Sequence, residues 1–179
     1  MLEDISVKLP ERIEGLVQEL LLYSREETYH LEPVNLDVFI PEAIQASIST
    51  WRGKVKVFIP SAVTVIADRE KLHRVLVNGM RNAIEAMGEE GILQISARPD
   101  RRWVEIRVED NGPGISSDAR PLLFTPFHTT KTDGTGLGLA YSKRVLAGMR
   151  GKIEIDNRRE GAGAVLTICL PKGREGRNE

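Results

Sequence analysis

The sequence holds a single cysteine, Cys169, in 179 residues. A lone thiol excludes an internal disulfide framework and fits a reducing compartment. Charge of one sign is not in excess either: 25 basic and 26 acidic residues leave a formal net charge of -1. Composition therefore gives non-specific nucleic-acid binding no support, and no nucleic-acid partner is expected. No apolar run approaches the roughly 20 residues of a membrane-spanning helix. The opening MLEDISVKLP is acidic and mixed, unlike a secretory leader. Internal repeats are lacking too. A cytoplasmic chain is expected, either free or as the cytoplasmic piece of a membrane protein.

What is present is enough for a core, since 41% of the residues are apolar, and the length suits one domain with an appendage. Leu2, Ile5, Leu9, Ile13, Leu16 and Leu20 recur at helical spacing, close to a coiled-coil seam. Pro10 kinks that helix or starts its second part. So narrow a stripe needs a partner helix. YHLEPVNLDVF reads as a connector, and Val38 to Thr50 as a helix. KVKVFI and VTVI read as strands joined by PSA in a hairpin or tight loop. A long helix starts at Asp68, an N-cap or first-turn acid, and runs to Met87. ILQISARP and RRWVEIRVED are two further strands. Leu137 to Met149 is helical, and KIEIDN and AVLTICLP close the domain. Strand pairs that look hairpin-joined predict an α+β fold. It would be a two-layer sandwich whose mixed or antiparallel sheet is covered by helices on one face.

On the Asp68–Met87 helix, Leu72, Val75, Leu76, Gly79, Met80, Ala83, Ala86 and Met87 share one arc. Arg74, Asn78, Asn82 and Glu85 form a stripe on the other side. Asparagine is a poor helix former, so two of them four apart are a local cost. Either the stripe is solvated, or its amide oxygens line a site. An Asn carbonyl is a hard oxygen suited to a Mg²⁺ ion that keeps most of its waters.

In VEIRVEDNGPGI a strand ends on Asp110 and breaks into a turn with Gly112 and Gly114. A plain Asp-Asn-Gly turn is one reading. The other is a carboxylate that accepts from the exocyclic amine of adenine and repels guanine, which offers an acceptor there. In DGTGLGLAYSKRV, Gly134, Gly136 and Gly138 stand at a helix start, where backbone amides suit phosphate oxygens. A flexible hinge explains the same pattern. No GxxxxGK[ST] occurs, and no βαβ unit surrounds the glycines. LFTPFHTTK lies between, with Phe124 and Phe127 as apolar anchors followed by Thr129, Thr130 and Lys131. It is a pinned surface loop or a lid over a nucleotide, with Lys131 in reach of a phosphate.

The order of these stretches resembles one family. VLVNGMRNAIEAM, DNGPGI, LFTPFHTTK and GTGLGLAYSKRV look like the N, G1, F and G2 boxes of the sensor histidine kinases of two-component systems. These are members of the ATPase group that includes gyrase, MutL and the large heat-shock chaperones. The resemblance covers Leu36 to Pro171, and the compact PFHTTK looks most like the nitrogen-regulation type. It implies a Bergerat fold, ATP and Mg²⁺ as ligands, and transfer of the γ-phosphoryl to a histidine for relay to a response regulator. Asn78 and Asn82 would bind ATP, Asn82 as a ligand of the Mg²⁺ on the phosphates and Asn78 near them, and Asn78 and Lys131 would be catalytic. Asp110 would bind the adenine amine, with Gly112, Gly114 and Ile115 shaping that pocket. Thr129, Thr130 and Lys131 would belong to the lid, and Gly134, Thr135, Gly136, Leu137, Gly138 and Leu139 would wrap the phosphates. Glu85 lies on the site stripe and is counted with the ATP-binding residues.

Two positions depart from the pattern. Hydrolytic relatives carry a glutamate at the place of Asn78, so an amide there argues for phosphoryl transfer over hydrolysis. Ala164 stands where these kinases often have a hydroxyl, which weakens any second adenine contact through that side chain. The acceptor run H-E-x-x-x-P does not occur, and His30, His73 and His128 do not match it. Residues 1–30 instead resemble the second helix of a dimerisation and phosphoacceptor hairpin. A truncated piece of a homodimeric kinase is expected: the helix, an ATP-binding domain over 31–171 and a disordered tail over 172–179. Its acceptor helix would come from an absent segment or a second subunit. The alternative is an ATP-binding regulatory module of the anti-sigma kind.

Overall fold

The computed structural model describes residues 17, 20, 21, 28–48, 50–129, 131 and 134–173. Most of the expected N-terminal seam, Thr130 and residues 174–179 lie outside the described residues. Val17, Leu20 and Leu21 are helical and exposed.

The chain forms β1 (Glu32–Asn35), α1 (Leu36–Ser47), β2 (Lys54–Phe58) and β3 (Thr64–Ala67). It continues with α2 (Arg69–Met87), β4 (Ile92–Pro99), β5 (Trp103–Glu109) and a 3-10 turn at Arg120–Leu122. It closes with α3 (Gly138–Gly148), β6 (Lys152–Asn157) and β7 (Ala164–Pro171). The five-stranded sheet runs β2-β4-β5-β7-β6, and β1 and β3 make a separate two-stranded sheet. β2 pairs with β4 in parallel, while the other neighbours are antiparallel, so the sheet is mixed as expected.

The expected hairpin of KVKVFI and VTVI is not there. β2 and β3 belong to different sheets. A parallel β2–β4 pair needs a crossover, and β3 with α2 supplies it. The PSA loop is held instead at the start of α1. Ala62 N donates to Asp37 Oδ2 at 2.8 Å, and Leu36 N to Val63 O at 2.9 Å. The stretch read as a connector contains β1, which pairs with β3, and α1 begins at Leu36, capped by Asn35.

Alternation decides the layers. Leu93, Ile95, Val104, Ile106, Ile168 and Leu170 are fully buried on one sheet face and join Leu72, Leu76, Met80, Leu146 and Met149 in one cluster. Burying a side chain of this size contributes roughly 1.5–3 kcal/mol. On the other face Gln94, Arg98, Glu105, Arg107 and Glu109 are polar and pair among themselves. Gln94 Nε2 donates to Glu109 Oε2 at 3.1 Å, and Arg107 meets Glu109 at 3.1 Å. Helices therefore cover one face, giving the predicted two-layer sandwich.

α2 is placed closely. Asp68 caps it by accepting from Lys71 N at 3.1 Å, and Gly88, whose carbonyl accepts from Trp51 Nε1 at 2.8 Å, ends it. A Cβ at Gly79 would lie 2.3 Å from Leu166 Cδ2, so the helix runs directly over β7. That contact fixes which side of α2 is left for a site. Of the predicted apolar arc, Leu72, Val75, Leu76, Gly79, Met80 and Ala83 are buried, but Ala86 is exposed because the helix end overhangs the sheet. At the other end of the chain, Lys172 N donates to Arg102 O at 2.8 Å and Gly173 N to Thr64 O at 2.7 Å. The bonded backbone thus continues two residues past Pro171, into the segment expected to be a disordered tail.

Candidate functional site

The polar stripe of α2 faces other elements along its whole length. The Arg74 guanidinium stacks 4.8 Å from the ring centre of Tyr141 on α3. Asn78 Nδ2 donates to Ser142 Oγ at 3.2 Å, also on α3. Lys131, from the segment between the turn and α3, donates to Asn82 Oδ1 at 2.7 Å and pairs with Glu85. The stripe thus contacts α3 and the segment before it, while Glu85 stays exposed.

The glycine-bearing segment packs against the same stripe. A Cβ at Gly138 would stand 2.4 Å from Asn78 Oδ1, so the carboxamide occupies the space a side chain would need. Gly136 adopts φ +70° and its carbonyl accepts from Phe127 N at 3.1 Å, tying this segment to the PFHTT stretch. Thr129 Oγ1 accepts from Lys131 N at 3.1 Å and abuts Gly134. Thr135 Oγ1 accepts from Leu137 N at 3.2 Å at the entry to α3; Leu137 is buried and Leu139 half-buried.

At the C-terminal end of α2 lies the Asp110 turn. Asp110 is 5% exposed, and its Oδ1 accepts from Gly112 N at 2.9 Å and from Ala164 N at 3.2 Å. The position of Gly112 lies 3.3 Å from the backbone of Ala86 when a Cβ is built on it, so the turn sits against the last turn of α2. Ile115 is held by Asn157, whose Oδ1 accepts from Ile115 N at 2.6 Å while Nδ2 donates to Ile115 O at 2.9 Å. Gly114 lies beside the same Asn157. From Asn78 to Ala86 the helix advances about 12 Å. Along that line the Asp110 turn lies against the C-terminal end of the helix, and the N-terminal turn of α3 lies against Asn78.

Four contributors have no counterpart in the sequence reading. Ser142 holds Asn78, Asn157 holds Ile115, and Asn111 Oδ1 accepts from Ile92 N at 2.7 Å. Gly163 lies against the Asp110 carbonyl. Ala164 reaches Asp110 through its backbone, so the missing hydroxyl removes no anchor for the carboxylate. The asparagine at the end of KIEIDN was the one available signal, a turn-former where a strand stops.

Two hollows lie elsewhere. One of about 540 Å³ is lined by Phe58, Pro60, Arg98 and Arg107 on the outer sheet face. Another of about 660 Å³ is lined by His30, Glu42, Asp68 and His73 at the start of α2. Neither is lined by the amide stripe. Among the described residues no group of His, Cys, Asp and Glu forms a metal cluster, and no helix is long and apolar enough to cross a membrane. Burial, then Glu105 and Glu154, pushes the Cys169 thiol up, so it stays protonated near neutrality.

Residues 67–174 match the family described as histidine kinase-, DNA gyrase B-, and HSP90-like ATPase. The chain belongs to this family. It is 33% identical over 171 residues to the C4-dicarboxylate transport sensor protein DctB of Rhizobium meliloti, covering 92% of this chain and 27% of that protein. It is 32% identical over 174 residues to the sensor histidine kinase ZraS of Escherichia coli K12, covering 95% and 37%. To the sensory histidine kinase/phosphatase NtrB of Rhizobium leguminosarum bv. phaseoli it is 30% identical over 184 residues, covering 92% and 48%. The chain thus spans about a quarter to a half of the length of these relatives. Among solved structures, the nucleotide-free catalytic domain of histidine kinase ThkA superposes with a TM-score of 0.72 at 32% identity, covering 80% of this chain and 96% of that one. ThkA in complex with the response regulator protein TrrA superposes at 0.76 with 30% identity, covering 97% and 51%. Full-length ShkA in complex with AMPPNP gives 0.75 at 27%, covering 89% and 35%. The fold is that of histidine kinase catalytic domains, and the chain carries the ATPase domain of the sensor-kinase kind. The anti-sigma alternative is not favoured.

Proposed function

We propose that this chain binds ATP with Mg²⁺ and transfers the γ-phosphoryl to a histidine on an acceptor helix, for relay to a response regulator. What supports the reading is the set of contacts along α2: Asn78 against α3, Lys131 on Asn82, and the Asp110 turn against the last turn of the helix. Asp110 Oδ1 is committed to two backbone amides, which leaves Oδ2 to accept from the adenine amine. Gly112, Gly114 and Ile115 shape the base pocket. Gly134 to Leu139 wrap the phosphates, whose charge suits the N-terminus of α3. Thr129, Thr130 and Lys131 form the lid.

Support for the metal comes from the Lys131 ammonium, a cation already seated on Asn82 Oδ1. A hard amide oxygen of that kind would hold Mg²⁺, which when bound would neutralise charge developing on the phosphates. Asn78 lacks a basic carboxylate, which favours transfer to an imidazole over activation of water.

The acceptor histidine lies outside this sequence, on an absent segment or on a second subunit. Residues 1–30 form the second helix of the dimerisation hairpin in this reading. The exposed apolar side chains of Val17, Leu20 and Leu21 support a partner helix there. A homodimeric sensor with this domain in the cytoplasm follows, because ATP is supplied there. The test is to mix the chain with labelled ATP, Mg²⁺ and a separately supplied acceptor hairpin. Label moves to the hairpin in the parent chain and not in Asn82→Ala with its fold intact. Tight ATP binding without transfer to any sensor-kinase hairpin would return the weight to a regulatory module.

A further inference from the structure

We propose that Ser142 is a positioning residue that decides which end of the Asn78 carboxamide faces Gly138. The proposal rests on the reading of Asn78 as part of the transfer site. Ser142 is 1% exposed. A serine hydroxyl has one proton to donate, and here it is committed, because Ser142 Oγ donates to Gly138 O at 2.8 Å. Toward Asn78, 3.2 Å away, the hydroxyl can only accept. The group facing it must therefore be the amino group of Asn78. Proton counting alone fixes the amide, which otherwise has two near-isosteric orientations.

With the amino group turned inward, Oδ1 lies over Gly138 at the first turn of α3. The Asn78 carboxamide thus turns an atom that only accepts toward the first turn of α3. Such an atom repels bare phosphate oxygens and attracts an N–H; with the metal assigned to Asn82, it is suited to orienting the incoming imidazole. A flipped amide would do the reverse: its two N–H groups would hold phosphate oxygens in the ground state and offer nothing to the nucleophile. The lock therefore serves the rate of transfer and not the affinity for ATP. A bond of this kind is worth a modest factor, roughly three- to tenfold.

A serine bonded to the carbonyl four residues back can also be only a helix feature, and the experiment separates the two. Alanine is the best helix former, so Ser142→Ala keeps α3. In the full chain labelled with ¹⁵N, the side-chain amide signals of Asn78 should shift and lose exchange protection in Ser142→Ala. With ATP, Mg²⁺ and an acceptor hairpin supplied in trans, kcat should fall roughly three- to tenfold while KM for ATP stays level or drops. In an Asn78→Ala background, Ser142→Ala should have no further effect on kcat. Unmoved Asn78 signals, parallel losses in kcat and affinity, or the same loss in both backgrounds would each overturn the inference while leaving the kinase reading in place. A parent chain that takes up no Mg²⁺-ATP would overturn the kinase reading and this inference together.

Discussion

Lys131 Nζ donates to Asn82 Oδ1 at 2.7 Å, so the ammonium of the proposed lid rests on the oxygen proposed for a magnesium ion. Glu85, one turn further along α2, holds the same ammonium. Both partners are about half exposed, and a pair of that kind contributes no more than about 1 kcal/mol. The contact is a light latch, and a divalent ion arriving with a nucleotide can displace it. Glu85→Ala should weaken the latch. Amide exchange around His128 to Gly136 should then quicken by up to roughly fivefold without nucleotide, and the apparent affinity for Mg²⁺-ATP should rise. Hydrogen-exchange mass spectrometry and calorimetry check the two halves. A fall in affinity would mean that Glu85 touches the nucleotide or its metal directly, as its place on the site stripe suggests.

Asp110→Asn isolates the proposed adenine contact from the fold. The carboxylate is fixed through one oxygen, Oδ1, by Gly112 N and Ala164 N. An asparagine can keep its oxygen on those two donors, and its amino group then stands where Oδ2 stood. That group opposes the adenine amine, donor against donor. Loss of a hydrogen bond to a charged group costs about 1.5–3 kcal/mol, so ATP should bind roughly ten- to a hundredfold more weakly. The melting temperature should move by only a few degrees. Calorimetry beside a thermal melt measures both, and equal losses in binding and folding would return Asp110 to a plain turn.

Gly163 and Gly161 make a matched pair with unequal outcomes. Both have positive φ, +118° and +75°. A Cβ at Gly161 meets nothing within 4 Å, whereas at Gly163 it would lie 2.0 Å from the Asp110 carbonyl oxygen. Gly161→Ala should cost about 1 kcal/mol, the penalty of left-handed backbone. Gly163→Ala adds a collision with backbone that cannot move aside, because Asp110 N is bonded to Ala164 O at 3.0 Å. Its cost should reach about 3 kcal/mol or more, and the adenine pocket should go with it. Urea unfolding of the two variants tests the contrast, and similar costs would contradict it.

These contacts mark where a linear reading ends. The α2 stripe was legible because asparagines disrupt a helix locally, and the period of 3.6 placed them together. β4 with β5 and β6 with β7 were legible because antiparallel neighbours are joined by short turns. β1 was not: four residues without marked alternation become a strand only by pairing with β3, about thirty residues on. The β2–β3 junction misled for the same reason, since a tight loop signals a hairpin whether or not the next strand joins the same sheet. Ser142 and Gly163 carry no local signature. One is a helix serine and the other one of several glycines, and their roles arise from what α2 and Asp110 bring against them.

Asp68 gives a prediction in pH. It caps α2 and also accepts from His30 N at 3.0 Å, with the Lys71 ammonium 3.7 Å away. Burial is the strongest single influence and pushes its carboxyl up. The amides of His30 and Lys71, with the charges of both residues, together outweigh it and hold the group below its ordinary value of 3.8. A carboxylate held below its unfolded value adds stability above that value and loses it as pH falls through the folded one. Asp68→Asn keeps a capping oxygen, since Asn caps as well as Asp, and removes only the charge. Between pH 7 and 5 the parent should therefore exceed the variant by a constant margin in denaturant unfolding. The margin should begin to close below about pH 4 and vanish once the carboxyl is protonated in both states. A margin that held constant into strong acid would mean that the charge contributes nothing. One that widened would require a carboxyl raised by burial, with the His30 and Lys71 contacts too weak to offset it.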